Sequence, residues 1–320
     1  MTDAVVGTSV SEARKFLLEG KLVAIPTETV YGLAGNALEA DAVARIFEVK
    51  GRPRFDPLIV HVPSWEKAQA YVRDVPHPAE ILARNFWPGP LTLLLPRQSM
   101  IPDLVTAGLD RVGLRCPDHA LTRELLDQLP FPLAAPSANP FGYVSPTTAE
   151  HVMLRLGRRI PYILDGGPCR VGIESTIVGW EGDQTVVYRL GGISVEQLES
   201  VIGPVTVKSH SSSKPQAPGQ LQSHYAPAKP FYLGNIDFLI REKNLLNPGI
   251  LAFRNDHNNY PNSLVLSRTG DLHEAARNLF GMLRELDQRD VDAVVAEEVP
   301  NHGLGRAIND RLRRAAAPKQ

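Results

Sequence analysis

The amino-acid sequence predicts an α/β protein made of two folded parts of unequal size. The chain has 320 residues, about twice the usual length of roughly 150 residues for one domain. Helix-like and strand-like segments alternate along it, which is typical of sheets covered by helices. The stretch 207–230 is rich in Ser, Pro, Gln and Gly and has no hydrophobic period, as expected of a linker. One large part precedes it and one small part follows.

The first part contains enough strand-like segments for a substantial sheet. Ser9 followed by Glu12 is typical of a capping box and predicts a helix that ends at Gly20, and the KLVAIP segment after it predicts a buried strand. The segment DAVARIFEVK predicts a helix that ends at Gly51. Strand ends alone favour a mostly parallel sheet. The remaining predictions are helices near 77–86, 119–129, 147–156 and 194–202 and strands over LIVHV, LTLLL, RVGLR, FPLAA, YIL, STIVGW and TVVYRL.

The second part has the rhythm of βαβ units. Strand-like FYLG, GILAF, LVLS and DAVVA alternate with helical segments, of which the longest spans about 272–286. The last helix ends in Arg311, Arg313 and Arg314. This rhythm predicts a smaller open sheet with parallel strands.

Composition and missing motifs exclude several classes of protein. With 34 Lys and Arg against 35 Asp and Glu, the net charge of −1 gives no overall attraction to nucleic acid. Cys116 and Cys169 are too isolated for a zinc cluster or a disulfide framework. There is no secretory signal and no apolar run of the roughly 18 residues that a membrane span needs, so we expect a soluble, cytoplasmic protein. The sequence lacks GxxxxGK[ST], GxGxxG, GxSxG and HExxH, which argues against the common nucleotide-binding, hydrolase and metalloprotease sites.

Polar residues follow several predicted strands. Strand ends that open into a crevice are where α/β proteins commonly bind ligands, so a composite site is expected there. Each residue alone also suits a turn, a cap or a buried core position, and this alternative stays open. The residues are Thr27 and Thr29 after LVAIP, His61 within LIVHV, Arg115 at the end of RVGLR, and Ser137 with Asn139 after FPLAAP.

Two groups of cations are candidates for binding an anion. Lys50, Arg52 and Arg54 lie within five residues around a glycine and a proline, a cluster that suits phosphate and equally suits a solvated helix end. Arg189 ends a strand before two glycines, where it can form a bidentate pair with a carboxylate or phosphate, or an ordinary surface ion pair.

Six segments occur in the order seen in the YrdC family, and the chain resembles this family over essentially its whole length. A seventh segment, PGQLQSHYAP at 218–227, and the small α/β part after it are similar to the longer, two-domain form. The six segments are PTETVYGLAGNA (26–37), KGRPRFDPLIVHV (50–62), FWPGPLT (86–92), VGLRCPDH (112–119), APSANPFGYVSPTT (135–148) and DGGPCRVGIESTIV (165–178).

The resemblance implies a fold and a reaction. The catalytic domain, 1–206, would be a twisted mixed sheet with helices around a large cavity. The linker, 207–230, would lie over the active site, and 231–320 would form a small Rossmann-like domain. The implied activity is that of a nucleotidyltransferase that joins L-threonine, bicarbonate or CO2, and ATP into threonylcarbamoyl-adenylate and releases pyrophosphate. The product would serve modification of the tRNA adenosine next to the anticodon.

The matching motifs also imply roles for individual residues. Lys50 and Arg52 would be catalytic, stabilising charge on the phosphates. Asp56 and Arg111 depart from the family pattern, which usually has Asn and a small or hydroxyl residue at these positions. Threonine would be bound by Thr29, His61, Arg115, Ser175 and the backbone at Ala135. The nucleotide would be bound by Lys50, Arg52, Asp56, Arg111, Ser137, Asn139, Ser145, Arg189 and Tyr225.

The same resemblance implies partners and leaves two other functions open. Mg²⁺ would accompany ATP without a dedicated protein metal site, and the product would pass to the downstream tRNA threonylcarbamoyl-transfer machinery. Direct tRNA binding stays open. One alternative is a carbamoyl transferase like the YrdC-type module of hydrogenase maturation, which the absence of acylphosphatase and zinc-finger regions disfavours. The other is an RNA-binding, ribosome-associated module, which the near-neutral charge disfavours.

Overall fold

The computed structural model describes residues 3–208, 215–219 and 224–318, and these form two sheets surrounded by helices. The first sheet is built from β1 (Val5–Gly7), β2 (Val23–Ile25), β3 (Gly32–Asn36), β4 (Ile59–His61), β5 (Leu91–Pro96), β6 (Arg111–Arg115), β7 (Leu133–Ala134), β8 (Tyr162–Leu164), β9 (Thr176–Glu181), β10 (Gln184–Arg189) and β11 (Thr206–Val207). The second sheet is built from β12 (Phe231–Leu233), β13 (Gly249–Ala252), β14 (Ser263–Val265) and β15 (Val294–Ala296).

Eleven α-helices occur in the described ranges, eight before the second sheet and three within its part of the chain. The eight are α1 (Val10–Leu18), α2 (Ala40–Lys50), α3 (Trp65–Ala68), α4 (His77–Phe86), α5 (Asp103–Thr106), α6 (Ala120–Gln128), α7 (Ala149–Leu156) and α8 (Val195–Ile202). The three are α9 (Ile236–Glu242), α10 (Leu272–Gln288) and α11 (Gly305–Ala316).

The first sheet is mixed. Its order is β1-β8-β2-β3-β7-β4-β6-β5-β9-β10-β11. Pairs such as β4 with β6 and β5 with β9 are parallel, whereas β2 with β3 and β9 with β10 are antiparallel. The prediction of a mostly parallel sheet was therefore wrong, because short returns such as the one between β9 and β10 can join only antiparallel strands. The mixed α/β fold implied by the family resemblance is confirmed.

The helix boundaries follow the signals in the sequence. The Ser9 hydroxyl accepts a hydrogen bond from the backbone N–H of Glu12 and caps α1, as predicted. Gly51 ends α2 in the left-handed conformation, with φ 61°, which glycine adopts without steric cost. At α8, Ser194 and Gln197 form a complete capping box. By ending α2, Gly51 fixes where the loop that carries Arg52 begins.

The second sheet is parallel throughout, in the order β12-β15-β13-β14. This confirms the smaller parallel sheet that the βαβ rhythm predicts. Its core, formed largely by α10 and α11, also includes Val144 and Ile173 from the first part. Gly172 has φ 80°, and a Cβ there would lie 2.4 Å from the Cα of Arg277 in α10. Only glycine permits this close packing of α10 against the first part.

The predicted linker is described only in part. Val207, the first residue of the predicted linker, belongs to β11. The residues 209–214 and 220–223 of the predicted linker lie outside the described residues. The domain limits stay predictions. Within the described ranges, none of the helices has the length and apolar character needed to cross a membrane.

Candidate active site

A cavity lies over one face of the first sheet, where three strand ends meet. His61, Arg115 and Arg189 are the last residues of β4, β6 and β10. His61 and Arg115 are partners in the parallel register, so they face the same side. The cavity opens to solvent. Its lining is Thr29, Val30, Arg52, Pro57, Ile59, His61, Arg115, Ala135, Pro136, Ser137, Glu174, Arg189, Pro218, Gly219, His224 and Tyr225.

Four of the five residues predicted to bind threonine line this cavity: Thr29, His61, Arg115 and Ala135. The hydroxyls of Thr27 and Thr29 lie 2.9 Å apart. Because the Thr27 hydroxyl donates its proton to the carbonyl of Val30, the Thr29 hydroxyl is the donor of the pair. The Thr29 oxygen is therefore left with acceptor lone pairs, which suit an ammonium or hydroxyl group of a ligand.

Arg115 is fixed from behind by a buried carboxylate. Its Nη2 lies 2.8 Å from Oε1 of Glu28, and both side chains are buried. The other oxygen of Glu28 accepts the backbone N–H of Asp118 at 3.0 Å. The Arg115 Nε donates to the Gly89 carbonyl at 3.4 Å. A guanidinium has five N–H donors, so these contacts orient the group and still leave donors for a ligand carboxylate.

His61 is an uncharged histidine among cations. It is buried, and burial together with the nearby Arg115 lowers the pKa of His61 to about 3. At neutral pH its imidazole is therefore neutral, with one nitrogen that donates and one that accepts. Such a group can recognise a hydroxyl or amine without adding charge to the cavity.

Arg52 also lines the cavity and is held by its own loop. Its Nη2 lies 2.9 Å from Oδ2 of Asp56, and its N–H groups donate to the carbonyls of Asp56 and Pro57. Asp56 is fully buried behind Arg52, and burial raises its pKa while Arg52 opposes the rise. Asp56 therefore orients Arg52. It is not among the residues that line the cavity, and as a nucleotide contact it stays a prediction.

Arg189 is also buried at the wall, and Ser175 holds it there. Its Nε donates to the Ser175 carbonyl and its Nη2 to the Ser175 hydroxyl, each at 3.0 Å. Burial lowers the pKa of Arg189 to about 10. The Ser175 hydroxyl lies 2.8 Å from that of Thr92 and stands outside the cavity wall. The predicted contact of Ser175 with threonine stays a prediction, whereas its contact with Arg189 is present.

Lys50 contacts the loop that brings Ser137 to the cavity. Its Nζ donates to the carbonyls of Ser137 and Asn139, each at 2.5 Å, and its side chain is buried. Burial and the neighbouring Arg52 lower the pKa of Lys50 well below its ordinary value. The Asn139 amide donates to the carbonyls of Pro140 and Tyr143. Both side chains are thus engaged in shaping the loop that presents Ser137, and as ligand contacts they stay predictions.

Two further predicted nucleotide contacts, Arg111 and Ser145, also stand outside the cavity wall. Arg111 donates to the Tyr188 hydroxyl and the Gln216 side chain, and its guanidinium lies over the Tyr188 ring. The Ser145 hydroxyl donates to Glu174 at 2.6 Å. Ser137, by contrast, lines the cavity with Arg52, Arg189 and Tyr225.

Tyr225 closes the cavity from the segment after the first part. Its backbone has φ 62°, unusual for a residue with a side chain, and its ring stacks on Phe280 of α10 with centroids 5.5 Å apart. Burial raises the pKa of its hydroxyl. Pro218 accepts a hydrogen bond from Arg189 at 3.3 Å, which ties this segment to the wall.

Sequence reasoning missed three charged or polar residues of the site: Glu28, Glu174 and His224. Glu28 and Glu174 lie inside the motifs PTETVYG and GIESTIV, beside residues that were singled out. His224 precedes Tyr225 and packs against Phe141 and Tyr225. The sequence did contain a signal for the two glutamates. A carboxylate within a segment otherwise suited to binding anions requires a buried cationic partner.

Two sequence families match the chain one after the other. The Sua5/YciO/YrdC family, described as "Telomere recombination", matches residues 15–191. The family described as "Threonylcarbamoyl-AMP synthase, C-terminal domain" matches residues 193–317.

Individual relatives are similar along nearly the whole chain. The threonylcarbamoyl-AMP synthase of Pyrococcus abyssi is 42% identical over 318 residues, which cover 95% of this chain and 93% of the relative. That of Bacillus subtilis is 42% identical over 320 residues, covering 96% and 92%. The crystal structure of P. abyssi Sua5 complexed with L-threonine matches with a TM-score of 0.90 at 38% identity, covering 99% of this chain and 97% of that one. The chain belongs to the Sua5/YciO/YrdC family.

Proposed function

We propose that the protein acts as a threonylcarbamoyl-AMP synthase, joining L-threonine, bicarbonate or CO2, and ATP and releasing pyrophosphate. The observation that carries this proposal is the convergence of Arg52, Arg115 and Arg189 with neutral His61 on one cavity. Three buried guanidinium groups suit a ligand pair with a carboxylate at one end and phosphates at the other. The full-length relatives that bear this enzyme's name support the same reading.

In this proposal, threonine binds around Arg115. Its guanidinium, oriented by Glu28, would form the pair with the substrate carboxylate. The acceptor oxygen of Thr29 would take a hydrogen bond from the ammonium or the γ-hydroxyl, and His61 would pair with the other polar group. Because buried polar partners go unpaired when a substrate group is missing, this arrangement favours threonine over analogues that lack the hydroxyl.

In this proposal, the nucleotide binds around Arg52, Ser137 and Arg189. The two arginines would neutralise charge on the phosphates, and Lys50 would act by holding the Ser137 carbonyl in place. Tyr225, packed on Phe280, would cover the nucleotide. In this proposal the predicted linker lies over the site. Its described residues at the cavity wall are Pro218, Gly219, His224 and Tyr225.

The reaction requires no covalent bond to the protein. Bicarbonate takes up a proton and loses water to give CO2. The neutral threonine amine attacks the carbon of CO2, and the nitrogen then releases one proton to water, which leaves a carbamate. A carbamate oxygen then attacks the α-phosphorus of ATP, and the bond from that phosphorus to the pyrophosphate oxygen breaks. The protein's contribution is positioning, neutralisation of phosphate charge and exclusion of the water that hydrolyses carbamates.

Mg²⁺ would come with ATP. Among the described residues, no group of three or more His, Cys, Asp or Glu side chains is placed to hold a metal ion. Mg²⁺ in nucleotide sites is held mainly by phosphate oxygens and water with one or two carboxylates, so this residue set fits an ion bound through ATP. When bound, Mg²⁺ would screen charge on the leaving pyrophosphate. Transfer of the product to tRNA-modifying machinery in the cytoplasm belongs to the same proposal.

The test is turnover with each substrate omitted in turn. The protein is incubated with ATP, L-threonine and ¹³C-bicarbonate, and pyrophosphate and the AMP adduct are measured together, the adduct by mass spectrometry. We expect both products only when all three substrates are present, with one ¹³C in each adduct. Pyrophosphate release that does not depend on threonine would contradict the proposal. Salt-dependent RNA binding without ATP consumption would favour the RNA-binding alternative.

A further inference from the structure

A chain of buried polar contacts connects the cavity to α11. Glu174, at the cavity wall, accepts the Ser145 hydroxyl with Oε1 and the Arg311 Nε with Oε2, the latter at 3.1 Å. Arg311 lies on α11, and its side chain is 0% exposed. The guanidinium that meets this cavity carboxylate therefore comes from the other part of the protein.

A carboxylate is an unexpected group at this position. The cavity is otherwise lined by Arg52, Arg115 and Arg189, and a ligand with phosphates would be repelled by an uncompensated negative charge at the same wall. Arg311 reduces that conflict because its guanidinium, which also pairs with Asp310 at 3.0 Å, lies directly behind Glu174. Burial by itself lowers the pKa of Arg311. The nearby Tyr225, Glu174 and Asp310 outweigh burial and raise that pKa, so Arg311 stays charged.

Arg311 also contacts the two other segments that border this wall. Its Nη1 donates to the Leu190 carbonyl at 2.7 Å, directly after Arg189 in the chain. Its guanidinium lies over the Tyr225 ring, 5.4 Å from the centroid. One side chain of the second part thus meets the segments that carry Glu174, Arg189 and Tyr225.

We infer that Arg311 is a positioning residue for the nucleotide subsite, which holds Glu174 as a neutralised partner of Ser145 so that the wall accepts phosphates. The inference rests on the proposed function for the identity of the ligand. It gives the small C-terminal part a direct role in nucleotide affinity, exerted through charge and not through contact with the ligand.

Arg284 provides a matched comparison. It is equally buried, lies on α10 of the same part and also reaches into the first part. Its guanidinium, however, donates to the carbonyls of Val144, Ser145 and His151 and has no bond to Glu174. Loss of Arg284 therefore disturbs the interface without leaving the cavity carboxylate uncompensated.

The experiment is a double-mutant cycle read as nucleotide affinity. The dissociation constant of a non-hydrolysable ATP analogue is measured by calorimetry on the full chain for Arg311→Leu, Glu174→Gln and the double variant. We expect Arg311→Leu to weaken binding by about 10- to 100-fold, because an unpaired carboxylate then faces the phosphates. The double variant should bind within about threefold of Glu174→Gln alone, since it lacks that carboxylate.

The controls separate charge from structure. Glu174→Gln should not recover any affinity lost in Arg284→Leu, because that variant keeps the pair between Glu174 and Arg311. In turnover assays, Arg311→Leu should raise the KM for ATP far more than the KM for threonine. A double variant as weak as Arg311→Leu would overturn the inference. If Arg311→Leu does not fold, the double variant and Glu174→Gln still decide, because a large difference between those two also overturns it.

The outcome is distinguishable from failure of the proposed function. A wild-type protein that neither binds the analogue nor forms the AMP adduct would reject the proposed function itself. A wild-type protein that does both, combined with no recovery in the double variant, would reject only the role of Arg311.

Discussion

Buried arginines occur in two regions of this protein, and the regions use them differently. At the cavity, Arg52 and Arg189 are held by protein acceptors and also face an open space. At the interface between the two parts, Arg284 is enclosed by three carbonyls and the Tyr143 ring. Burial is nearly the same in both regions. The difference lies in what the guanidinium faces, a cavity or a fixed protein acceptor.

This difference explains which buried charges are available to a ligand. A cation with fixed acceptors on all sides contributes to folding, because its partners would be unsatisfied without it. A cation that faces a cavity keeps donors for an anion in addition to those that its protein partners, such as Asp56 for Arg52, already occupy. Burial lowers the pKa of Arg189 and that of Arg284 alike, each to about 10, so the pKa does not separate the two regions. The open space beside the guanidinium is what marks the proposed ligand-binding wall.

The largest expected effect is loss of activity at Arg52. Arg52→Ala removes a cation from the proposed phosphate site and should lower kcat/KM for ATP by about 100- to 1,000-fold, the usual result of removing one stabilising donor. It also leaves the fully buried Asp56 without its partner. Breaking such a buried pair costs about 3–5 kcal/mol of folding free energy, so thermal unfolding should shift downward as well.

The double variant Arg52→Ala/Asp56→Asn separates these two losses. It removes the unpaired carboxylate, so the unfolding temperature should recover towards that of the wild type, whereas activity should stay as low as in Arg52→Ala. Pyrophosphate release and differential scanning calorimetry measure the two properties. Recovery of activity in the double variant would show that Arg52 supports the fold and not the reaction.

The next effect is loss of stability at the interface. Arg284→Leu removes hydrogen bonds to three backbone carbonyls. At about 1–3 kcal/mol for each acceptor left unsatisfied, with strong non-additivity, we expect a total loss of about 3 kcal/mol. Chemical denaturation should show this loss directly.

Activity at 25 °C provides the contrast with Arg52. Because Arg284 faces no cavity, kcat in Arg284→Leu should fall much less than in Arg52→Ala. Substitution of the exposed Arg158 by Leu provides a surface control, for which neither stability nor kcat should change appreciably. A loss of activity in Arg284→Leu as large as that in Arg52→Ala, without loss of stability, would remove the distinction between the two regions.

The sequence predicted most elements of the fold, and one missed strand has a clear physical reason. Strands with apolar runs, such as β5 and β9, were predicted close to their observed bounds. The strand β3 was missed because its sequence, GLAGN, has two glycines and low strand propensity. It forms because the neighbours β2 and β7 pair with it on both sides, and this tertiary pairing is invisible in the local pattern.

The sequence predicted which residues belong to the site better than which of them face the cavity. The motifs named Arg52, Arg115, Ser137 and Arg189, all of which line the cavity. They also named residues one layer behind it, such as Lys50, whose Nζ meets two backbone carbonyls. A linear motif marks the residues that build a site, but the direction in which each side chain points depends on strand register and loop contacts from distant segments.

The smallest expected effect is a pH dependence of stability from His61. Its pKa is about 3 in the folded protein because burial and Arg115 disfavour the charged form, against about 6.5 in the unfolded chain. Between these values the unfolded state binds a proton that the folded state does not, so stability falls as pH falls below about 6.5. Linkage gives a loss of about 2 kcal/mol from this one group between pH 7 and pH 5.

His61→Gln tests this sign, because glutamine retains donor and acceptor capacity but does not titrate. The difference in unfolding free energy between pH 7 and pH 5, measured by denaturant titration, should be about 2 kcal/mol smaller in the variant than in the wild type. His302→Gln, at an exposed position, should leave that difference as it is in the wild type. An unchanged difference in His61→Gln would mean that His61 takes up a proton in the folded cavity. Three guanidinium groups would then not dominate the potential there, and the contrast between cavity and interface would lose its electrostatic basis.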